Sequence, residues 1–431
     1  MRLKVQPAHA PLSGEYRPPG DKSVSHRAAI FGGLAAGETE IHGFLDSADT
    51  RATLNAMAAL GAEVSEADGV IRVHGGQLKA PTGNLDMGNS GTGMRLLTGA
   101  LAGHPDLFGA SIRLIGDESL SARPMERIIE PLRAMGADIE SVDGCAPLTV
   151  RPRQLRGMFY EQPMASAQVK SALLLAGLNA EGATEVVEPG ISRDHTERML
   201  PAFGARLVRG KCRCRMDGDQ RLRGTVCRVP GDLSSAAFIL AAGLIVDGSN
   251  IRLTEVGLNP TRDGILRIVA AMGAEIELAT TTSADEEPAG HLRIRFGKLA
   301  GVDIAPEWVP LAIDEFPVLM ALAARANGTT RIRGAEELRV KESDRLAVMC
   351  GELAKLGVDV TEQPDGADIT GGPVHGGYVD SHGDHRIAMS LAVLGLVADA
   401  PVQIDNAEWI RTSYPGFVDD MRALGAEMEW L

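Results

Sequence analysis

The sequence predicts an α/β protein, α+β by some schemes, made of two similar domains. Three observations predict it. One helix-to-strand signature recurs six times. A second helix-and-strand element precedes the signature. Two Pro-Gly pairs divide the six copies into three and three.

The signature reads Ala58-Ala59-Leu60-Gly61-Ala62-Glu63-Val64, then Arg133-Ala134-Met135-Gly136-Ala137-Asp138-Ile139, and returns around Gly204, Gly273, Gly357 and Gly425. Each glycine follows an apolar-periodic segment and precedes an alternating one, the pattern of a C′ glycine that ends a helix before a strand. A motif repeated at this length marks one supersecondary unit used again. The preceding element has a small or polar start, an apolar run, a glycine turn and a β-branched strand. Ser25 to Ala35 leads to Gly37 and Thr39-Glu40-Ile41. Ser166 to Leu178 leads to Gly182 and Thr184-Glu185-Val186. Ser234 to Leu244 leads to Gly248 and Ile251, and Pro317 to Ala326 leads to Gly328 and Thr330-Arg331-Ile332. The unit therefore reads helix, strand, helix, strand, with a further strand beyond.

Pro18-Pro19-Gly20-Asp21 opens the first unit and Val229-Pro230-Gly231-Asp232 the fourth. Such pairs punctuate a chain and serve as hinges. Arg2-Leu3-Lys4-Val5 is a leftover strand with no helix of its own, expected to complete a sheet of the C-terminal half. The expected domains are 19–230, and 1–18 together with 231–431, joined by two crossings with an active-site cleft between them.

Composition narrows the function. The chain has 431 residues, 44% hydrophobic and only 4% aromatic, with 50 glycines, so its helices pack on small side chains. A net charge of −14 argues against a nucleic-acid partner. Any anionic ligand must then be met by a local cluster of cations. Met1 to Gly20 has no secretory h-region and no apolar stretch reaches transmembrane length, so no membrane partner is expected. Five irregularly spaced cysteines suit reduced thiols in a cytoplasm. Cys212-Arg213-Cys214 lacks a second pair at zinc spacing, so no metal site is expected.

The chemistry gathers at the helix starts. Gly88-Asn89-Ser90-Gly91-Thr92-Gly93-Met94-Arg95 is a glycine-rich loop running into an apolar helix. Unpaired N–H groups and the positive dipole end make such a start a ready anion site. Its spacing matches neither a dinucleotide-binding fingerprint nor a Walker loop. The other starts are Asp21-Lys22-Ser23, Ser166-Ala167-Gln168, Asp232-Leu233-Ser234, Asp314-Glu315-Phe316 and Asp384-His385-Arg386. Ser, Asp and Asn there are ordinary N-caps. Lys22 and Arg386 oppose the dipole, which marks them as ligand contacts. Arg123 precedes a proline expected to open a helix. Arg339-Val340-Lys341-Glu342-Ser343-Asp344-Arg345 packs three cations and two acids together; were Lys341 to Arg345 helical, those two cations would share a face. A carboxylate among cations, such as Asp314, can act as general base.

At these residues the chain resembles the 5-enolpyruvylshikimate-3-phosphate synthase family. The likeness runs through Gly20-Asp21-Lys22-Ser23, Asn89 to Arg95, Arg123-Pro124-Met125, Ser166 to Lys170, Asp314-Glu315, Arg339 to Arg345 and Asp384-His385-Arg386. Arg193-Asp194-His195-Thr196-Glu197 and Asn259-Pro260-Thr261-Arg262 resemble its second, glyphosate-tolerant class. The resemblance implies the enolpyruvyl-transferase fold: two domains, each of three βαβαββ units, closing on substrate. It implies transfer of the enolpyruvyl group of phosphoenolpyruvate to the 5-hydroxyl of shikimate 3-phosphate by addition and elimination, with no cofactor, in a monomer. It implies Asp314, Glu342 and Lys22 as catalytic groups. Phosphoenolpyruvate would meet Lys22, Gly91, Thr92, Arg123, Gln168, Arg345 and Arg386. Shikimate 3-phosphate would meet Lys22, Ser23, Arg27, Ser166, Ala167, Gln168, Arg193, Asp314 and Lys341. His26, His195 and His385 are expected to pack or hydrogen-bond rather than react.

Two departures stand out. Some glyphosate-insensitive members have alanine at the Gly91 position. First-class members have a lysine where Thr412 stands here, one residue past Arg411. The sister family acting on UDP-N-acetylglucosamine has asparagine after its first lysine and a cysteine near Arg123. This chain has Ser23, and Ile115 to Met125 holds no cysteine. A non-catalytic anion-binding repeat protein would have no need of acids such as Asp314 and Glu342.

Overall fold

The computed structural model describes residues 1–281 and 287–431. The chain forms two compact units. One is built on Gly20–Pro230, with Glu287 grouped to it; the other on Met1–Pro19 and the chain from Gly231 onward.

Within each unit, three small sheets share one plan, in which a first strand runs parallel to a middle strand that then pairs antiparallel with a hairpin. In Gly20–Pro230 the sheets are Val226–Arg228 with Gly37–His42, Val70–Gly75 and Glu63–Ala67; Leu85–Asp86 with Ile112–Ile115, Cys145–Arg151 and Asp138–Val142; and Phe159–Glu161 with Ala183–Val187, Arg213–Asp217 and Leu207–Gly210. The second unit has Ser13–Tyr16 with Asn250–Gly257, Ala289–Arg295 and Ile276–Thr280, then Thr329–Ile332 with Gly366–Thr370 and Asp359–Gln363. In that three-stranded sheet the first strand is reduced to isolated bridges, Ala300 to Asn327 and Asp303 to Arg331. The last sheet is Gly377–Asp380, Val402–Asp405, Leu3–Val5 and Met428–Trp430. The leftover N-terminal strand thus stands in for half of the final hairpin.

Two first strands come from unexpected places. Ser13–Tyr16 leads into the helix Lys22–Leu34 but pairs with Asn250–Gly257. Val226–Arg228 leads into the helix Leu233–Ile245 but pairs with Gly37–His42. Each Pro-Gly crossing falls between such a strand and the next helix. The crossings match in detail: Asp21 N–H donates to Pro230 O and Asp232 N–H to Pro19 O, both at 2.7 Å. Asp21 and Asp232 then cap their helices through their side chains. Alternation alone does not reveal this exchange, because both strands are short and the partners lie more than 180 residues away.

The first helix of each of the six repeats is buried on nearly every side. All of Leu233–Ile245 and Phe316–Ala323 is buried. A helix apolar all round belongs in a core, and small residues let it sit there. A Cβ on Gly99 would stand 2.2 Å from Ala172 O on the neighbouring helix, and one on Gly177 2.7 Å from Thr184 Oγ1. The second helices are amphipathic and cover the outside, as in Glu126–Ala134 and Arg345–Lys355. Their six terminal glycines all take positive φ: Gly61 104°, Gly136 99°, Gly204 87°, Gly273 90°, Gly357 80° and Gly425 110°. At each, the glycine N–H and the next N–H reach back to the last turn, as in Gly61 to Ala58 O and Ala62 to Met57 O. This is the Schellman arrangement, six times over. Among the described residues no helix is long and apolar enough to cross a membrane.

The two roles of glycine predict different penalties. A Cβ on Gly204 meets nothing within 4 Å, so Gly204→Ala carries only the backbone cost, about 1–2 kcal/mol. Gly99→Ala must move a helix and is expected to cost more than Gly204→Ala. Denaturant unfolding of both variants checks the order.

Candidate active site

Each unit carries its own group of predicted site residues, and each is described by itself. In Gly20–Pro230, Lys22 is the first residue of its helix, and its ammonium is paired with Asp49. That carboxylate supplies the counter-charge the helix dipole does not. One turn on, Arg27 is 2% exposed. It donates to Ser23 O at 2.9 Å, Ser171 Oγ at 2.8 Å and Thr196 Oγ1 at 2.7 Å. Burial pulls its pKa down to about 10, against support from Glu197. Arg193, on the loop before His195, lies near enough to Arg27 to repel its charge. Ser166 caps its helix by accepting from Val169 N–H, and Ala167 opens that helix.

The glycine-rich loop joins the same group. Ser90 is the N-cap of Gly91–Ala102, accepting from Gly93 N–H at 3.1 Å. Gln168 donates to Thr92 Oγ1 at 2.9 Å and accepts from Arg95 at 2.7 Å. Arg123 donates to Asn89 Oδ1 at 2.7 Å and Ser119 Oγ at 3.2 Å. Asn89 in turn donates to both oxygens of Asp117. A Cβ on Gly91 would stand 3.2 Å from one Arg95 nitrogen and 3.5 Å from one of Arg123, so the missing methyl leaves both guanidinium groups open. Lys22, Ser23, Arg27, Gly91, Thr92, Arg123, Ser166, Ala167, Gln168 and Arg193 thus all lie in this unit.

The second unit groups Asp314, Lys341, Glu342, Arg345 and Arg386. Arg345 is 1% exposed. Its guanidinium sits 2.8 Å from Asp384, 2.6 Å from Glu342 and 3.5 Å from Asp314. Lys341 lies 3.9 Å from Asp314 and 2.8 Å from Glu337. Arg386, second residue of its helix, donates to Asp314 O at 3.0 Å and lies 3.8 Å from Glu315. Burial raises the Glu342 carboxyl, but Arg345, with smaller help from His385 and a backbone hydrogen bond, outweighs this and holds it well below the usual range. Asp384 is likewise held low, burial being outweighed by the charge and hydrogen bond of Arg345 together with His385. Behind them, Ser234 donates to Glu315 and receives a bond from Arg262 at 2.6 Å.

Several expectations are corrected. Lys341 to Arg345 is not one helix. A 3-10 turn ends at Val340, Asp344 is an N-cap, and the helix begins at Arg345, so Lys341 meets Asp314 from a loop. Arg339 does not join the cluster; it is spent on Asp344, Glu362 and the carbonyls of Gln363 and Pro364. Pro124 precedes the cap Met125 instead of opening the helix. Arg411 lies 5.2 Å from the centre of the Trp430 ring, turned toward that ring. Sequence reasoning treated Asn89 and Asp384 as caps only. Asp384 caps its helix and also holds Arg345, while Asn89 holds Arg123. An acid or amide at a helix start gives no hint of the distant arginine it will meet.

The comparisons with known proteins agree with one another. A family model described as EPSP synthase (3-phosphoshikimate 1-carboxyvinyltransferase) matches residues 7–421. A relative from Acidithiobacillus ferrooxidans, named 3-phosphoshikimate 1-carboxyvinyltransferase, is 51% identical over 420 residues, 96% of each chain. One of the same name from Halorhodospira halophila is 51% identical over 99% of this chain and 96% of its own. The solved structure of EPSP synthase from Acinetobacter baumannii superposes with a TM-score of 0.91 at 42% identity, covering 100% of both chains.

His26 yields a test of the first group's electrostatics. It is fully buried, bonded to Thr53 Oγ1 at 2.8 Å, and burial with Lys22 lowers its pKa to about 3. The folded state therefore holds it neutral, while the unfolded chain takes up a proton below the ordinary histidine value. Stability is lost as pH falls from about 6.5 toward 3. Between pH 7.5 and 5 this group accounts for a loss of about 2 kcal/mol. His26→Gln is expected to lose correspondingly less than the parent, read from urea unfolding at both pH values.

Proposed function

The chain belongs to the EPSP synthase family, and we propose that its residues divide the work of that family's reaction as follows. The enzyme transfers the carboxyvinyl group of phosphoenolpyruvate to the 5-hydroxyl of shikimate 3-phosphate and releases phosphate, a step of aromatic amino-acid biosynthesis. The chemistry needs one group to take the hydroxyl proton, one to protonate C3, and cations to hold phosphates and carboxylates. The observation that carries the assignment is the placement of Asp314 and Glu342 against one buried arginine, Arg345.

Asp314 is the base that takes the proton of the 5-hydroxyl as its oxygen attacks C2 of phosphoenolpyruvate. Glu342 delivers a proton to C3. Without ligand Glu342 is an ionised carboxylate held low by Arg345, so it must first gain a proton. An incoming phosphate and carboxylate bring negative charge to Arg345 and draw it away from Glu342, which raises that carboxyl toward the range of a useful acid. In the elimination the methyl proton returns to Glu342, the C2–O bond to phosphate breaks, and phosphate departs with the proton that Asp314 took from the hydroxyl, which resets both acids. Lys22 bridges both substrates. Arg123, Arg345 and Arg386 grip phosphoenolpyruvate with planar forks, Gln168 touches both ligands, and Gly91 and Thr92 allow close backbone approach. Ser23, Arg27, Ser166, Ala167, Arg193 and Lys341 hold shikimate 3-phosphate.

Neither group of residues supplies everything the reaction needs. The Gly20–Pro230 unit offers cations and hydroxyls; the acids assigned to proton transfer belong to the other. Both groups are therefore assigned to one pair of substrates. All five cysteines are free thiols, which supports a cytoplasmic setting.

Phosphate release from phosphoenolpyruvate is expected with shikimate 3-phosphate and not with UDP-N-acetylglucosamine; release with the latter alone would reverse the reading. Asp314→Ala is expected to lower kcat by about 100-fold or more with modest change in KM. Arg386→Lys is expected to raise KM for phosphoenolpyruvate far more than for shikimate 3-phosphate, because a point charge replaces a fork. Steady-state kinetics with each substrate varied in turn checks both.

A further inference from the structure

The Ser166 helix carries a charge in the interior that its fold does not require. Lys170 Nζ lies 2.6 Å from Glu188 Oε2 and 2.8 Å from Glu197 Oε1, and all three side chains are 5% exposed or less. Counted from each N-cap, the residue equivalent to Lys170 is Ser25, Met94, Ala236, Leu319 and Ala388 in the other five repeats, and every one is buried. The architecture accepts a small or apolar side chain there. A buried ammonium needs well-placed partners to be tolerated at all. Burial would strip its proton, yet Glu197 and Glu188 more than offset that and hold the charge.

The partners explain the location. Glu188 directly follows the strand Ala183–Val187 and also accepts from Ser192. Glu197 lies in the short helix His195–Met199. Lys170 therefore joins both ends of the segment 188–197, and Arg193 sits between those ends. The next residue, Ser171, bonds Thr196 at 2.7 Å, and Arg27 donates to both hydroxyls. Two successive residues of one helix thus fasten the segment beside Arg27.

We propose that Lys170 is a positioning residue for shikimate 3-phosphate, tying the 188–197 segment to the Ser166 helix so that Arg193 is held in place to meet that substrate. The inference rests on the assignment of Arg193 made above. It acts through Arg193 and does not touch the substrate.

The test is a double-mutant cycle on the full chain, reading shikimate 3-phosphate affinity by calorimetry and both KM values by kinetics. Lys170→Met is expected to weaken shikimate 3-phosphate binding on the order of tenfold, with KM for phosphoenolpyruvate unchanged. On an Arg193→Ala background the same change is expected to add little. Equal losses for both substrates, or additive losses in the double variant, overturn the proposal. A loss in Arg193→Ala with none in Lys170→Met refutes the tie alone, whereas full affinity in Arg193→Ala refutes the Arg193 assignment itself. If Lys170→Met does not fold, Glu188→Gln, which keeps the Lys170–Glu197 pair, carries the same cycle.

Discussion

A guanidinium withdrawn from water must be surrounded by negative charge, and Arg345 at 1% exposure sets the terms for its unit. Burying an unpaired charge costs far more than a domain can spare. Asp384, Glu342 and Asp314 answer it. Two of those three carboxylates are the groups assigned to proton transfer. The same contacts that make the arginine tolerable therefore fix the positions of the acids proposed for proton transfer. An anionic ligand then competes with carboxylates for one cation, and binding becomes coupled to proton affinity through simple electrostatics.

The architecture explains why the proposed site residues gather at helix starts. Helices such as Leu233–Ile245 are enclosed along their whole length, so their ends are the parts left to address a ligand. Lys22, Gly91, Ser166 and Arg386 all lie within a residue or two of such a start. The outer helices contribute where they meet the same end of the unit, as Arg345 does at the start of Arg345–Lys355.

Much of this is legible in the chain itself. The six C′ glycines announce their backbone conformation, because positive φ is hard for any other residue. The helix-start cations stand out because they contradict the local dipole. The rest depends on distance. That Asn89 grips Arg123, that Lys170 reaches Glu188 and Glu197, and that Arg339 is spent on a neighbouring turn are facts of tertiary geometry with no periodic trace. The break between Val340 and Arg345 leaves no mark in the spacing, because a pair at i, i+4 is equally compatible with helix and loop; Asp344 capping through Ala347 N–H decides it. The exchange of Ser13–Tyr16 and Val226–Arg228 was hidden because strands so short carry little pattern of their own.

Leu3–Val5 lies between Val402–Asp405 and Met428–Trp430. The first strand of the sequence is thus flanked by two far along it. Gly20–Pro230 holds all strands of its three sheets and can finish early in synthesis, whereas the N-terminal segment waits for the final residues before its backbone groups are paired. Such long-range closure is slow to form and leaves an open edge meanwhile. A chain stopped a few residues short would lose Met428–Trp430, and with it the partner along one side of its own beginning.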